Sequence, residues 1–397
     1  MIKNVVIAGS TGSIGRQALD VIQHYPDRYR VVGLSANDQW LLLYEQCCKF
    51  RPEYVYVKHP DAYRSLFDAL SGHDIHVLSG SDLPFLVSLP EVDVVLASIV
   101  GVVGMVSTYA ALEAGKVVLL ANKESLIAGG PVLMEVARRS GATVIPIDSE
   151  HSALLQCLMS RDGSATPVSD AVNRLVLTAS GGPFWPKPFA NLGDVTPEQV
   201  CNHPRWSMGR KISVDSATMA NKGLEIAEAC WLFGLSPDRV GTIIHPESVV
   251  HALVEYIDGV TLTHMSYPDM RTALSYALSY PERSNSGVGN VDLASISKLS
   301  FYEADFSLYP CLKIIIDAVY AGHSDCIIVN AANEVAVQMF LSGQVKFTDI
   351  ETIIADTYSM ISPVCCSNLS DILSFDREVR VISKIVAKEK FCALADL

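Results

Sequence analysis

Six short runs of β-branched and aliphatic residues recur through the first 148 residues, and their spacing leaves few folds open. Val5-Val6-Ile7-Ala8, Val31-Val32-Gly33-Leu34, Tyr54-Val55-Tyr56-Val57, Val92 to Ala97, Val117 to Ala121 and Thr143 to Ile147 all have the composition of buried strands. Amphipathic stretches such as Arg16 to His24 and Val132 to Arg139 lie between them. Strands that alternate with helices in this way pair in parallel, because each crossover returns the chain to the same edge of the sheet. Residues 1–148 are therefore expected to form an α/β, doubly wound domain.

The rest of the chain changes character. Residues 149–280 read as a mixed α+β domain, with strands such as Leu175-Val176-Leu177 and Val249 to Tyr256 among loops rich in Gly, Pro and Ser. Residues 281–305, which include Ser284-Asn285-Ser286-Gly287-Val288-Gly289-Asn290, read as a connecting region. Residues 306–397 read as a helical domain, with helices expected over Leu312 to Tyr320, Ala331 to Leu341 and Ile350 to Met360. At 397 residues, with 49% hydrophobic and 18% charged side chains, the chain can bury several cores. Its net charge of -13 argues against a nucleic-acid partner. Ten cysteines without a secretory signal read as reduced cytoplasmic thiols, and Cys47-Cys48 and Cys365-Cys366 lack zinc-ligand spacing. Val94 to Leu112 is 19 residues without a charge, long enough to cross a bilayer. Gly101, Gly104 and the scattered Ser98, Ser107 and Thr108 favour a buried strand, a turn and a packed helix instead, so no membrane association is expected.

The first strand runs directly into Gly9-Ser10-Thr11-Gly12-Ser13-Ile14-Gly15. Glycines between a strand and a helix allow a tight turn and let backbone N–H groups approach a pyrophosphate at the helix N-terminus. The spacing G-x-x-G-x-x-G is a variant of the usual dinucleotide fingerprint, and a glycine turn without a ligand would look the same. The second strand ends at Ser35-Ala36-Asn37-Asp38, about 20 residues past the loop, where the fingerprint places its ribose contact. An acidic residue there bonds the 2′-hydroxyl of NAD and repels the 2′-phosphate of NADP, so Asp38 taken alone favours NAD.

The last strand of this region leads into Asp148-Ser149-Glu150-His151-Ser152. On an extended segment, carboxylates at i and i+2 point to one side. A third carboxylate, Glu225, follows Asn221 by four residues and would share a helix face with it. Three carboxylates with open positions suit a hard divalent cation, Mg²⁺ or Mn²⁺, although a D-x-E in a loop also serves as a cap or solvated turn. His151 reads as a packed or hydrogen-bonded histidine. Ser180-Gly181-Gly182-Pro183-Phe184 offers a hydroxyl and glycine amides to an anion, or forms a simple turn. His203-Pro204-Arg205-Trp206-Ser207-Met208-Gly209-Arg210-Lys211 puts an aromatic in a polar stretch, the composition of a water-excluding lid, whereas a core tryptophan is the plainer reading. Lys123 ends the fifth of the six runs on the ligand edge, and Ser216, Asn221 and Lys222 supply donors that a phosphate requires.

With these segments in order, the chain resembles the 1-deoxy-D-xylulose 5-phosphate reductoisomerase family from end to end. The resemblance rests on GSTGSIG (9–15), ANKES (121–125), DSEHSA (148–153), SGGPF (180–184), HPRWSMGRKISVDSATMANKGLE (203–225) and NEVAV (333–337). It implies a Rossmann-like NADPH-binding domain, a central catalytic domain, a connective region and a C-terminal helical bundle, in a homodimer. It also implies isomerisation of the ketose phosphate and reduction of the intermediate aldehyde by NADPH to 2-C-methyl-D-erythritol 4-phosphate, with fosmidomycin occupying the substrate site. Asp148, Glu150 and Glu225 then match the metal ligands. Ser180, Ser216, Asn221 and Lys222 match the phosphate set, with His203 as a neighbour. Ser149 and Lys123 match contacts to the substrate backbone, Trp206 and Met208 the lid, and His251 a further active-site histidine. Thr11, Gly12, Ser13, Ile14, Ala36, Asn37, Asn122, Glu124 and Gly209 fall at the cofactor. The pattern departs at Asn37-Asp38-Gln39, where many members carry a glycine, a lysine or arginine, and an asparagine or serine. NADPH is nonetheless the cofactor that the whole-chain resemblance implies.

In the reaction so implied, a divalent cation polarises the ketose carbonyl. The skeleton rearranges by retro-aldol cleavage and re-addition or by a ketol shift, and Glu150, Lys123 and His203 are the candidate catalytic residues. Binding energy from the distant phosphate closes the lid. One alternative is a metal-independent NAD(P)-dependent dehydrogenase. Thioester-forming members of that class require an activated cysteine, and Cys157, Cys201 and Cys230 sit in no evident motif. A nucleotide-binding regulator is the other.

Overall fold

The computed structural model describes residues 2–158, 170–187, 192–202 and 209–392. It divides into two compact units: Met1–Ser125 with Leu133–Ser152 and Met270–Val288, and Leu126–Val132 with Ala153–Asp269 and Gly289–Leu397.

The first unit holds strands β1 (Lys3–Ala8), β2 (Tyr29–Ala36), β3 (Tyr54–Val57), β4 (His76–Leu78), β5 (Val94–Ala97), β6 (Val117–Leu120) and β7 (Thr143–Pro146). They form one sheet in the order β4-β3-β2-β1-β5-β6-β7, with every neighbouring pair parallel. The six runs read from the sequence are all strands. Their apolar character is continuous because in a doubly wound sheet both faces are covered: Val5, Val6 and Ile7 are all fully buried. The seventh strand, β4, has only three residues and no apolar run to announce it. Chain direction across the sheet reverses between β1 and β5, so the loop after β1 opens at the switch point where such sheets bind ligands.

The uncharged stretch 94–112 becomes β5, a short turn over Val102–Gly104 and the helix Met105–Glu113. Among the described residues no helix is long and apolar enough to cross a membrane. The helix Met270–Ser279 also belongs to this unit and packs on the helix Ser13–Gln23, where Arg271 lies 3.3 Å from Asp20. Tyr29 and Ser279 share a buried hydroxyl–hydroxyl hydrogen bond of 3.2 Å.

The second unit is built on β8 (Val172–Ala179), β9 (Val240–Ile244), β10 (Val250–Tyr256), β11 (Thr261–Met265) and β12 (Tyr302–Glu303), ordered β11-β10-β8-β9-β12. Only β8 and β9 are parallel. Leu175, Leu177, Ala252 and Val254 share one core with Leu224 and Ala227 of the helix Ala220–Phe233. Ile315, Val329, Phe340 and Ile353 belong to that core as well, from the helices Pro310–Ala321, His323–Leu341 and Asp349–Met360. The helical stretch thus packs into the core of the sheet. Arg380, of the helix Leu369–Ala387, pairs with Asp376 at 2.7 Å and Glu334 at 2.8 Å and ties two of these helices together.

Residues 123–131 are helical as well. The helix runs from Lys123 to Ser140 with Pro131 inside it, so the segment read as starting at Val132 begins nine residues earlier. Gly130 is tolerated there because the Trp231 indole occupies the space of its missing side chain, 2.5 Å from where a Cβ would stand.

Candidate functional site

In the first unit the glycine loop is held from behind. Gly9 adopts φ +96, where a Cβ would stand 3.0 Å from Ser98, and a Cβ on Gly15 would lie 2.4 Å from the Gly9 carbonyl. Both positions therefore exclude a larger residue. Ser10 and Ser35 are fully buried. The Gly9 N–H donates to Ser35 Oγ at 2.9 Å, and the Ser10 N–H donates to the Ser35 carbonyl at 2.8 Å. Gln46, from the helix Trp40–Phe50, bonds Ser10 twice. Thr11 is buried, Gly12 and Ser13 are exposed and Ile14 is half-buried. No side-chain hydrogen bond caps the helix Ser13–Gln23 at Gly12, and the amides of a helix's first turn are those an anion binds. At the end of β2, Ala36 is buried while Asn37 and Asp38 are exposed.

The carboxyl ends of β6 and β7 carry the next group. Asn122 caps the helix Lys123–Ser140 by accepting from the Ser125 N–H, and its amide donates to the Ile99 and Gly101 carbonyls at 2.5 and 2.9 Å. It thereby fixes the loop after β5. Glu124 is buried. Lys123 Nζ lies 2.5 Å from Asp148 Oδ2, with both side chains largely withdrawn from solvent. The Asp148–Glu150 segment is not extended. β7 ends at Pro146 and a helix runs from Ser149 to Leu158, so the i, i+2 argument does not apply. Asp148 instead accepts from the Ser149 N–H at 3.0 Å, and Ser149 Oγ donates to Glu150 Oε2 at 2.6 Å. The Asp148 and Glu150 carboxylates still come within 4.8 Å of each other. A helix start brings them together where an extended strand was expected. His151 is fully buried.

In the second unit, two helices meet at a tight corner. Arg210–Ala217 is followed by Thr218 and then by Met219 in the left-handed region at φ +59, after which Ala220–Phe233 begins. The corner sets Ser216, half-buried in the last turn of one helix, near Asn221 and Lys222 in the first turn of the next. Asn221 and Glu225 share a face as expected: the Asn221 amide donates to Glu225 Oε1, and Lys222 pairs with Glu225 Oε2. Glu225 and Lys222 are both buried. The Ser180-Gly181-Gly182 turn lies against the same corner, since a Cβ on Gly182 would stand 2.8 Å from the Ser216 carbonyl. His251, also buried, has Nε2 2.9 Å from Ser266 Oγ, and burial pushes its pKa down to about 4, so the ring is neutral near pH 7. Gly209 is exposed. His203, Trp206 and Met208 lie outside the described residues. Burial raises the Cys230 thiol to about 12, the opposite of an activated nucleophile.

Four supporting residues escaped the sequence reading: Gln46, Tyr309, Asp215 and Asn333. All four side chains are buried. Asp215 and Asn333 fall within the quoted runs 203–225 and 333–337 with no role read from them, and Gln46 and Tyr309 are marked only by their polarity beside apolar neighbours.

A parallel seven-stranded sheet with a glycine loop at its switch point is the frame of a dinucleotide-dependent oxidoreductase. Three family models cover most of the chain: 1-deoxy-D-xylulose 5-phosphate reductoisomerase over residues 5–130, its C-terminal domain over 144–233, and the DXP reductoisomerase C-terminal domain over 265–382. The 1-deoxy-D-xylulose 5-phosphate reductoisomerase of Nitrosococcus oceani is 47% identical over 384 residues, 96% of this chain and 98% of the relative. That of Methylococcus capsulatus is 47% identical over 388 residues, 96% and 98% of the two chains. A crystal structure of DOX-P reductoisomerase with NADPH, fosmidomycin and magnesium superposes with a TM-score of 0.92 at 40% identity, covering 98% of both chains. The Zymomonas mobilis enzyme with NADPH gives 0.90 at 35% identity, covering 98% of this chain and 100% of the other. The chain belongs to the 1-deoxy-D-xylulose 5-phosphate reductoisomerase family.

Proposed function

We propose that this chain converts 1-deoxy-D-xylulose 5-phosphate to 2-C-methyl-D-erythritol 4-phosphate, by an isomerisation that depends on a divalent metal and a reduction that depends on NADPH. The observation that carries this reading, beside full-length membership of the family, is the buried Glu225 carboxylate gripped by Asn221 and Lys222. Residues 1–148 bind NADPH and contribute Lys123 and Asp148 to the site, 149–280 carry its remaining metal, substrate and lid groups, 281–305 connect, and 306–397 support the catalytic region.

Asp148, Glu150 and Glu225 are the metal ligands in this reading. Their oxygen-only donor set fits Mg²⁺ or Mn²⁺, which when bound polarises the substrate carbonyl. Lys123 orients Asp148 through their ion pair and contacts the substrate backbone with Ser149. Glu150 receives the Ser149 hydroxyl and is, with Lys123 and His203, a candidate to move protons. Ser180, Ser216, Asn221 and Lys222 bind the phosphate, a combination of hydroxyls, an amide and an ammonium at a helix start that suits a dianion. Neutral His251 adds a hydrogen bond without adding charge. Thr11, Gly12, Ser13 and Ile14 receive the pyrophosphate. Ala36 and Asn37 receive the adenosine end, while Asn122, Glu124 and Gly209 line the nicotinamide side. Trp206 and Met208 close over the substrate and exclude water.

Assembly is proposed as a homodimer. The edge strand β11 and its approach expose Ile257, Val260 and Leu262, an apolar edge that a second copy would cover. A cytoplasmic location is proposed as well, the ten cysteines having the composition of reduced thiols with no zinc-ligand spacing at Cys47-Cys48 or Cys365-Cys366.

The test follows NADPH absorbance with 1-deoxy-D-xylulose 5-phosphate, with Mg²⁺ and then with excess EDTA. Oxidation that requires both substrate and metal is expected. Equal rates after EDTA would overturn the metal-dependent reading and leave a plain dehydrogenase.

A further inference from the structure

We infer that Tyr309 and Asn333 are positioning residues for phosphate recognition, acting through the Ser180-Gly181-Gly182 turn and the helix that carries Ser216. The inference rests on the assignment of Ser180 and Ser216 to the phosphate.

The turn is set by one peptide unit. Gly181 and Gly182 adopt φ +83 and +75, so the peptide between them has a fixed and unusual orientation. Its two ends are both hydrogen-bonded. The Gly182 N–H donates to Ser180 Oγ at 3.1 Å, and the Gly181 carbonyl accepts from Tyr309 Oη at 3.1 Å. A lone pair of Ser180 Oγ is thus engaged by the turn itself, which directs the hydroxyl proton away from the turn. That is the polarity a phosphate oxygen needs from Ser180. Tyr309 is 4% exposed and its hydroxyl is spent on Gly181, so it cannot bind a phosphate itself.

The second support acts on the neighbouring residue of Ser216. Asp215 faces inward at 1% exposure, and its Oδ1 accepts from Asn333 Nδ2 at 2.8 Å. Lys211 Nζ, one turn earlier, lies 2.9 Å from Asp215 Oδ2. The Lys211 pair, within the same helix, holds the Asp215 carboxylate, and the bond from Asn333 on another helix fixes the rotation of Arg210–Ala217 about its axis and so the direction in which Ser216 is presented. The two supports converge, because Gly182 sits against Ser216 too closely for a Cβ. The segments contributing Tyr309 and Asn333 thereby supply the back wall of the phosphate cradle.

A buried tyrosine or asparagine that only stabilises the fold would lower the melting temperature and leave ligand preferences alone. Three variants separate the two roles. Tyr309→Phe removes a single oxygen, and should raise KM for 1-deoxy-D-xylulose 5-phosphate and the competitive Ki of inorganic phosphate by about tenfold, the size of one hydrogen bond. Its kcat and its Kd for NADPH should stay within about twofold of wild type, well below that effect. Asn333→Ala, which deletes the donor to Asp215 Oδ1, should do the same. Ser216→Ala is measured alongside. If it raises the phosphate Ki while Tyr309→Phe and Asn333→Ala do not, the positioning role is wrong and the phosphate assignment stands. If Ser216→Ala leaves the phosphate Ki unchanged, the phosphate assignment falls and the inference falls with it.

Discussion

Gln46 and Ser10 are joined by two hydrogen bonds of opposite direction: Gln46 Nε2 donates to the Ser10 carbonyl at 2.9 Å, and Ser10 Oγ donates to Gln46 Oε1 at 2.7 Å. Both side chains are buried. Since Ser10 also takes its backbone partner from Ser35, the first turn of the glycine loop is fixed before any nucleotide arrives. A loop held in its binding conformation loses less entropy when the ligand orders it.

Gln46→Leu keeps the volume of the side chain and deletes both bonds. The Ser10 carbonyl loses its Gln46 donor, at about 1–3 kcal/mol if nothing replaces it, while Ser10 Oγ keeps the Ser35 carbonyl at 3.2 Å. Part of that cost should appear as loosening of the loop, with Kd for NADPH rising about tenfold and KM for the ketose phosphate little changed. Titration of NADPH fluorescence checks it, and an unaltered Kd would mean that Ser35 alone holds the loop.

Glu225→Gln should abolish most turnover while NADPH affinity is preserved. The substitution removes one negative charge from the cation's donor set and turns the acceptor of Lys222 into a neutral amide. A loss of kcat on the order of 100-fold or more is expected, comparable at least with disturbing a supporting shell. Mn²⁺ titration of wild type and variant should show weakened metal binding, and full activity at ordinary Mg²⁺ would remove Glu225 from the ligand set.

Asp38 is exposed, which lowers its leverage on a 2′-phosphate. Asp38→Lys should therefore improve the NADPH-to-NADH preference only modestly, by about 0.2–1 kcal/mol, and the gain should fade with added salt. A wild type that uses NADH as well as NADPH would show instead that the aspartate faces the ribose.

His251 makes stability depend on pH. Burial depresses its pKa from the ordinary 6.5 to about 4, so between those values the unfolded chain binds the proton that the folded chain refuses. The penalty is absent above pH 6.5 and grows as pH falls towards 4, with an upper bound on the order of 3 kcal/mol. Urea denaturation at pH 7 and pH 4.5 should show a smaller acid loss in His251→Gln than in wild type. Equal losses would place the acid sensitivity elsewhere.

What the sequence by itself determined is whatever depends on local period and on unbroken motifs. The six β-branched runs became strands because a doubly wound sheet buries both faces, which leaves a signature needing no partner to be read. The glycine loop was legible for a similar reason: Gly15 answers to a steric demand from Gly9 and Ser10, a few residues before it. Asn221 and Glu225 share a face because helical spacing alone brings them together.

The tertiary structure decided what depends on contacts far apart in sequence. The helical segment read as starting at Val132 begins at Lys123, and Trp231, about a hundred residues on, fills the space beside its Gly130. Asp148 and Glu150 looked like neighbours on a strand, yet a helix starting at Ser149 brings them together. Gln46 and Tyr309 lie in no motif and Asn333 opens NEVAV with no role read from it, and their partners Ser10, Gly181 and Asp215 lie 36, 128 and 118 residues away. A polar side chain on a buried face announces only that it has a partner, and the packing of the core chooses which.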